Sequence, residues 1–246
     1  MEQNIVNPWM KLIEEINEVD FNGNYVLKNE QGIIEKFNKK VNNDLYKIHT
    51  QIMPAPYMGN VHSAMVVILM LNPGYTKEED KIGDDGKNYY DRYKHYWMNE
   101  IQHIPSIPNL PLFCLDEDYA KSSDYWIKKL KPLTSVSSKE KVAKNICKIQ
   151  FFPYHTQKYR DIYKNLLAEE GFENFLPSQK YNFQLVKNAM NRNAIIIITR
   201  NKRMWLKAIP ELEKYQNLYF TNSYLNTIIS ENNLPEAFPK ILEKLT

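Results

Sequence analysis

The chain has only two cysteines among its 246 residues, Cys114 and Cys147, and neither has a second cysteine at metal or redox spacing. A disulfide framework and a CxxC site are therefore excluded, and Cys147, inside an apolar run, reads as a core thiol. The histidines His49, His62, His95, His103 and His155 show no HxH or HExxH spacing, so no zinc signature is present. No apolar run approaches the roughly 18 residues of a membrane helix, and no basic start leads into an apolar segment with a small-residue cleavage site. Internal repeats and proline-rich linkers are also missing. Together these absences set the expectation of a cytoplasmic protein in a reducing setting, with no membrane partner and no zinc site. Net charge is only +3, which says little about partners until its distribution is considered.

What is present is a chain of ordinary globular composition, 43% hydrophobic and 25% charged, long enough for one large domain or two small ones. The expectation is a single domain over 1–246 with an N-terminal helical extension of about 1–53. Rings are abundant, with 17 Tyr, 10 Phe and 4 Trp, but rings serve cores, interfaces and base stacking alike.

The most informative stretch is Ala64 to Tyr75, A-M-V-V-I-L-M-L-N-P-G-Y. Eight apolar residues running into Asn-Pro-Gly describe a strand buried on both faces that ends in a tight turn. Pro73 sets one backbone angle and Gly74 admits angles closed to other residues, which would hold the Asn72 amide in a fixed pose. An ordinary strand-to-helix turn is the alternative. Three further strands are predicted over Asn145–Phe152, Ala194–Thr199 and Leu218–Thr221. Helices are predicted over residues 7–19 behind Asn7 and Pro8, over Ile33–Val41, Tyr89–Ile104, Tyr119–Leu133 and Tyr181–Arg192, and over short segments from Ser137 (capping box with Glu140), Asn201 and Pro235. Leu45–Ile52 is strand or helix, Pro54, Pro56 and Gly59 break regular structure, and a helix of about fifteen residues follows His155. Strands separated by helices argue for an α/β fold, three-layer α/β/α around a mostly parallel four-stranded sheet.

Three of these strands end in polar, turn-prone tripeptides: Asn72-Pro73-Gly74, Pro153-Tyr154-His155 and Asn222-Ser223-Tyr224. In a parallel sheet such ends share one edge, where ligands of α/β proteins bind. Charge adds a second clue. Between Glu173 and Glu211 there is no acidic residue, while Lys180, Lys187, Arg192, Arg200, Lys202, Arg203 and Lys207 all fall in the interval. A phosphate backbone needs such a basic rim, although a solvated helix face reads the same way.

With these residues in hand the chain resembles the uracil-DNA glycosylase superfamily, closest to its mismatch-specific and thymine-DNA glycosylase branch. The resemblance rests on P-A-P-Y-M-G-N leading into V-V-I-L-M-L-N-P-G-Y. It implies that Asn72 positions an attacking water, and that Gly74 stands where uracil-only branches carry a tyrosine, so that bulkier bases are admitted. Tyr75 or Phe152 would stack on an extruded base, Gln150 would read its edge, and Pro73 and Tyr154 would line the pocket. Asn222 and Ser223 would hold the neighbouring phosphate. At the last motif the chain reads Thr221-Asn222-Ser223, without the His and Pro common in the family, which leaves His155 as the compensating donor to a leaving group or as a cap for the following helix. The implied function is hydrolysis of the N-glycosidic bond of a flipped uracil or other modified base, with Asn72, His155 and Ser223 as catalytic residues and Lys187, Arg192, Arg200, Lys202, Arg203 and Tyr224 on the nucleic acid. The partner would be DNA, single-stranded or mismatched duplex, bound by a monomer, and no metal or organic cofactor would be needed. A binding module on the same fold without the reaction, and a hydrolase of free nucleosides, stand as alternatives.

Overall fold

The apolar runs become the sheet in the computed structural model of the chain, which describes residues 6–82, 84, 86–120, 124–223 and 225–246. Five strands are formed: β1 (Tyr57–Met58), β2 (Val66–Met70), β3 (Ile146–Gln150), β4 (Ile195–Ile198) and β5 (Leu218–Phe220). Their order is β1-β3-β2-β4-β5, with β4 parallel to β2 and β5 parallel to β4. Every residue of β2, β3 and β4 is buried, as continuous apolar runs without period-2 alternation require.

The helices among the described residues are α1 (Trp9–Ile16), α2 (Lys28–Lys40), α3 (Tyr89–Ile101), α4 (Glu117–Ala120), α5 (Tyr125–Thr134), α6 (Lys139–Asn145), α7 (Lys164–Glu169), α8 (Pro177–Asn191), α9 (Lys202–Ala208) and α10 (Phe238–Lys244). None is long and apolar enough to cross a membrane.

The sheet has five strands where four were expected. The additional one, β1, pairs antiparallel with β3 through Tyr57↔Ile149 and Met58↔Lys148. It lies in the stretch read as irregular, and Gly59 explains both facts. At φ +90° this residue turns the chain directly after the strand, and a Cβ there would stand 2.8 Å from the Ile146 carbonyl oxygen. Only glycine fits so close to β3.

Other boundaries moved for local reasons. The helix expected directly after His155 begins only at Lys164, because backbone bonds from Thr156 N–H to Pro73 O (3.3 Å) and from Lys158 N–H to Leu45 O (2.7 Å) tie the first residues after His155 to other segments of the chain. Leu45–Ile52 is neither strand nor α-helix; Asp44–Tyr46 forms a short 3-10 turn whose preceding Asn43 side chain accepts from Leu45 N–H. The helix expected over Tyr119–Leu133 is α4 and α5, with residues 121–123 outside the described ones. The cap of α6 is Ser138, which accepts from Lys141 N–H at 3.2 Å, one position beyond the Ser137 expected.

The chain divides into two compact units: Met1–Pro56, Leu71–Gln102 and Gln150–Gln184 in the first, Tyr57–Met70, His103–Ile149 and Leu185–Thr246 in the second. In the first, Glu30 near the start of α2 is fully buried and organises its surroundings. Its carboxylate accepts from Ser178 N–H (2.7 Å), the Ser178 hydroxyl (2.9 Å) and the Tyr154 hydroxyl (2.7 Å), while the Tyr154 oxygen accepts from Leu27 N–H (3.3 Å). The second unit carries the sheet, with Trp205 of α9 fully buried and its indole N–H on the Met70 carbonyl at 3.1 Å.

Candidate functional site

In the strand order, β2 is followed in sequence by β3 on one side and by β4 on the other. The connection therefore reverses direction at β2, and in open α/β sheets the crevice beyond the carboxyl end of such a strand is where ligands sit. Asn72 comes two residues after the last residue of β2.

Around Asn72 the first unit builds a small closed network from two chain segments. The Asn72 Nδ2 group donates to Pro73 O (2.9 Å), Thr156 O (3.1 Å) and Thr156 Oγ1 (2.9 Å). Thr156 N–H returns a bond to Pro73 O, and the His155 Nδ1–H donates to Gly74 O at 2.8 Å. Two of the atoms facing the amide are carbonyl oxygens, which have no proton to give. An inverted amide would set oxygen against oxygen, so the orientation of Asn72 is forced and Oδ1 must point the other way. Asn72 is half-buried. It thus presents one oriented acceptor, held by neutral partners, at the end of the central strand.

The residues around this amide have more structural tasks than the sequence suggested. His155 is buried, its Nδ1 is occupied by the Gly74 carbonyl, and its backbone pairs with His49. It clamps the Asn-Pro-Gly turn; the following helix is nine residues away, so it caps nothing. Gly74 does not have a positive φ, and a Cβ there would meet nothing within 4 Å. The glycine therefore contributes open space, and the left-handed backbone expected of it is not used.

Tyr75 is buried and stacks on His49 with ring centroids 3.6 Å apart, and it lies nearly parallel to Tyr90 at 6.2 Å. Its hydroxyl donates to Asp80, which pushes the phenol up to about 12, and the Tyr90 hydroxyl donates to Glu79 at 2.7 Å. Phe152 and Tyr154 are buried as well, edge to face at 5.6 Å. None of the three rings expected to meet a base is on the surface. Gln150 is 3% exposed, and its Oε1 is buried with no hydrogen-bond partner, as is Asn182 Oδ1, whose Nδ2 donates to the Gln150 carbonyl at 2.8 Å. An unpaired buried amide oxygen is costly, and Gln150 Oε1 and Asn182 Oδ1 are each able to accept a hydrogen bond from a ligand or a water.

The second unit holds the remaining candidates. Beyond the parallel tips of β4 and β5 lies a cleft of about 570 Å³, lined among others by Thr199, Arg200, Lys202, Phe220 and Thr221. Thr199 Oγ1 donates to Leu69 O at 2.9 Å, and Thr221 Oγ1 to Thr199 O at 3.3 Å, so these hydroxyls tie neighbouring strand ends together. Arg200, Lys202 and Arg203 are exposed. Asn222 and Ser223 are tied to the loop around Asn233: Asn222 N–H donates to Asn233 O (3.0 Å), Ser223 N–H to Asn233 Oδ1 (2.8 Å), and Ser223 Oγ accepts from Asn226 N–H (3.0 Å). Tyr224 lies outside the described residues.

The acid-free basic stretch does not make one rim. Arg192, at the end of α8 and before β4, donates to Val61 O (2.8 Å) and Ala64 O (3.0 and 3.1 Å), both of which precede β2. It therefore stands at the amino-terminal edge of the sheet, opposite Arg200, and its guanidinium is committed to main-chain carbonyls. Lys187 forms an ion pair with Glu211 at 2.7 Å. Of the expected phosphate contacts, Arg200, Lys202 and Arg203 stay at the carboxyl edge.

Thr156, Glu30 and Lys129 were not foreseen. Thr156 follows His155 directly, and its side chain does no visible work until it is paired with Asn72 across 84 residues. No group of three or more His, Cys, Asp or Glu that could hold a metal occurs among the described residues. The chain matches no family model, no curated protein and no solved structure.

Proposed function

We propose that the chain is a DNA glycosylase-like hydrolase of the uracil-DNA glycosylase type, with a three-layer α/β/α arrangement, acting as a cytoplasmic monomer on a uracil or other modified base in single-stranded or mismatched duplex DNA. The observation that carries this reading is the forced orientation of Asn72, whose Nδ2 is bonded to Pro73 O, Thr156 O and Thr156 Oγ1 so that Oδ1 points away from them. Cleavage of an N-glycosidic bond by water needs an acceptor that holds the water with its lone pair toward the sugar carbon, and a prealigned neutral amide does this without reorganising. The open space at Gly74 fits a pocket that accepts bases larger than uracil. The unpaired Gln150 Oε1 fits a reader of the base edge.

The test is release of base from oligonucleotides that carry one uracil or one mismatched thymine, single-stranded and duplex, read as alkali-labile sites. The wild-type chain should produce such sites, and Asn72→Ala should not. Failure of the wild-type chain on every modified base would remove the enzymatic reading.

One observation favours a second reading, a nucleic-acid or nucleotide binding module without the reaction. His155 is occupied with the Gly74 carbonyl, and the rings of Tyr75, Phe152 and Tyr154 are buried, so neither a leaving-group donor nor a stacking platform is presented. Salt-dependent binding without base release, indifferent to Asn72→Ala, would select it.

A further inference from the structure

Arg200 and Lys202 stand at the tips of β4 and β5 in the second unit, and Lys129 of the same unit lies within electrostatic reach of Arg200. Lys129, on α5, is 8% exposed, and its Nζ meets Asn226 Oδ1 at 3.5 Å and the Tyr125 ring at 5.2 Å. Burial and the nearby Arg200 guanidinium both push the Lys129 ammonium down from its ordinary range. Arg200 and Lys202 line the 570 Å³ cleft, where Lys202 Nζ lies 3.7 Å from the centre of the Phe220 ring. Among the described residues none of these three cations takes part in an ion pair.

Desolvating an ammonium with no anion beside it is unfavourable, and a second cation within reach makes it more so. An anion between them reverses the sign of both contributions. The cleft is the size of a small-molecule site, roughly 300–1,000 Å³, and far larger than one water needs. A planar guanidinium fork beside ammonium groups is the set of donors that suits the several oxygens of a phosphate.

We propose that the cleft at the β4 and β5 tips binds a phosphate group, with Arg200 and Lys202 on its oxygens and Lys129 supplying charge from beside Asn226. The phosphate belongs either to a nucleic-acid backbone or to a free mononucleotide, since both present the same group. The site stands on the cations of the second unit alone and does not depend on base release at Asn72, so either can fail without the other.

The experiment uses the full chain, with thermal unfolding and calorimetric titration at matched ionic strength. The probes are inorganic phosphate, thymidine monophosphate, an oligothymidylate and acetate as the control anion, tested on wild type, Arg200→Gln with Lys202→Gln, and Lys129→Met. Phosphate should raise the unfolding temperature of the wild type and not that of the double variant, whose exchanged side chains are exposed. Lys129→Met should bind phosphate about tenfold more weakly yet unfold no earlier than wild type, because an unpaired buried charge has been exchanged for an apolar chain of similar length. Tighter binding of the oligonucleotide than of the mononucleotide assigns the site to the backbone, and equal binding assigns it to the free nucleotide. No response to phosphate, an equal response to acetate, or binding unchanged in both variants would overturn the proposal.

Discussion

The Asn72 cluster of the first unit and the β4–β5 cleft of the second unit put polar groups to opposite uses. At Asn72 every oriented group is neutral, and the bonds made by Nδ2 leave the Oδ1 acceptor held in one fixed direction. At the cleft, cations are placed near one another with no ion pair to a carboxylate among the described residues. The first arrangement is already complete and can act on whatever reaches it. The second is incomplete and becomes favourable only when something anionic arrives. Catalysis by preorganised dipoles belongs to the former kind of region, and attraction of a charged ligand to the latter.

The comparison predicts separable losses. Asn72→Ala should lower base release about a hundredfold to a thousandfold, the scale of removing one prealigned dipole, while oligonucleotide affinity changes by no more than about twofold. Arg200→Gln with Lys202→Gln should do the reverse, weakening binding at low salt and flattening its salt dependence by about two phosphate contacts. Equal loss of affinity in Asn72→Ala would break the division of labour. Single-turnover release and fluorescence-detected binding, measured on the same oligonucleotide, decide it.

The next effect concerns pH and is confined to the first unit. Burial raises the Glu30 carboxyl from 4.5 to about 7, because desolvation outweighs its bonds to Tyr154 and Ser178. The folded chain therefore holds this proton more tightly than the unfolded chain. Its contribution to stability is full below pH 4.5, falls as pH rises through the window from 4.5 to 7, and is gone above it, a change of about 3 kcal/mol. Glu30→Gln keeps the shape and removes the titration, so its urea unfolding midpoint should change less between pH 5 and pH 8 than that of the wild type. An unchanged pH profile in that variant would show that Glu30 is not the group responsible.

A smaller effect separates the anchor from the amide it holds. Thr156→Val removes one acceptor from Asn72 Nδ2 and leaves the carbonyls of Pro73 and Thr156 in place. Stability should fall by about 1 kcal/mol and base release by roughly tenfold, with binding unaffected. Loss of stability without loss of rate would make Thr156 a structural partner only.

The sheet was readable because β2, β3 and β4 are buried on both faces, and such strands must be uninterrupted apolar runs. β1 was not, since a two-residue strand has no period, and its position is fixed by how closely Gly59 approaches Ile146. Asn72 announced itself as the polar residue that stops the longest apolar run. Thr156 could not, because its partner is 84 positions away. The rings of Tyr75, Phe152 and Tyr154 misled for a related reason: residue type says that a face can stack, and only packing says whether it is covered. Arg192 and Arg200 belong to one acid-free stretch, yet β4 lies between them and carries them to opposite edges of the sheet. Charge runs in sequence become charge patches only through topology.

The smallest expected effect on stability tests what Gly74 is for. Gly59 and Gly74 stand on either side of β2 in the chain, and they differ. Gly59 has a positive φ and a carbonyl oxygen 2.8 Å from where a Cβ would be, so it is required by the backbone. Gly74 has neither constraint. Gly74→Ala should therefore leave stability within about 0.5 kcal/mol of wild type, or raise it slightly by restricting the unfolded chain. Its consequence should appear in selection among bases: a methyl group placed in the open space beside Asn72 narrows the room for a 5-substituted base and leaves uracil unaffected. The ratio of release rates for uracil and mismatched thymine, measured under single turnover, should move toward uracil by about threefold to tenfold, the discrimination that one methyl group can supply. An unchanged ratio would mean that the space at Gly74 is open to solvent and is not the wall of a base pocket.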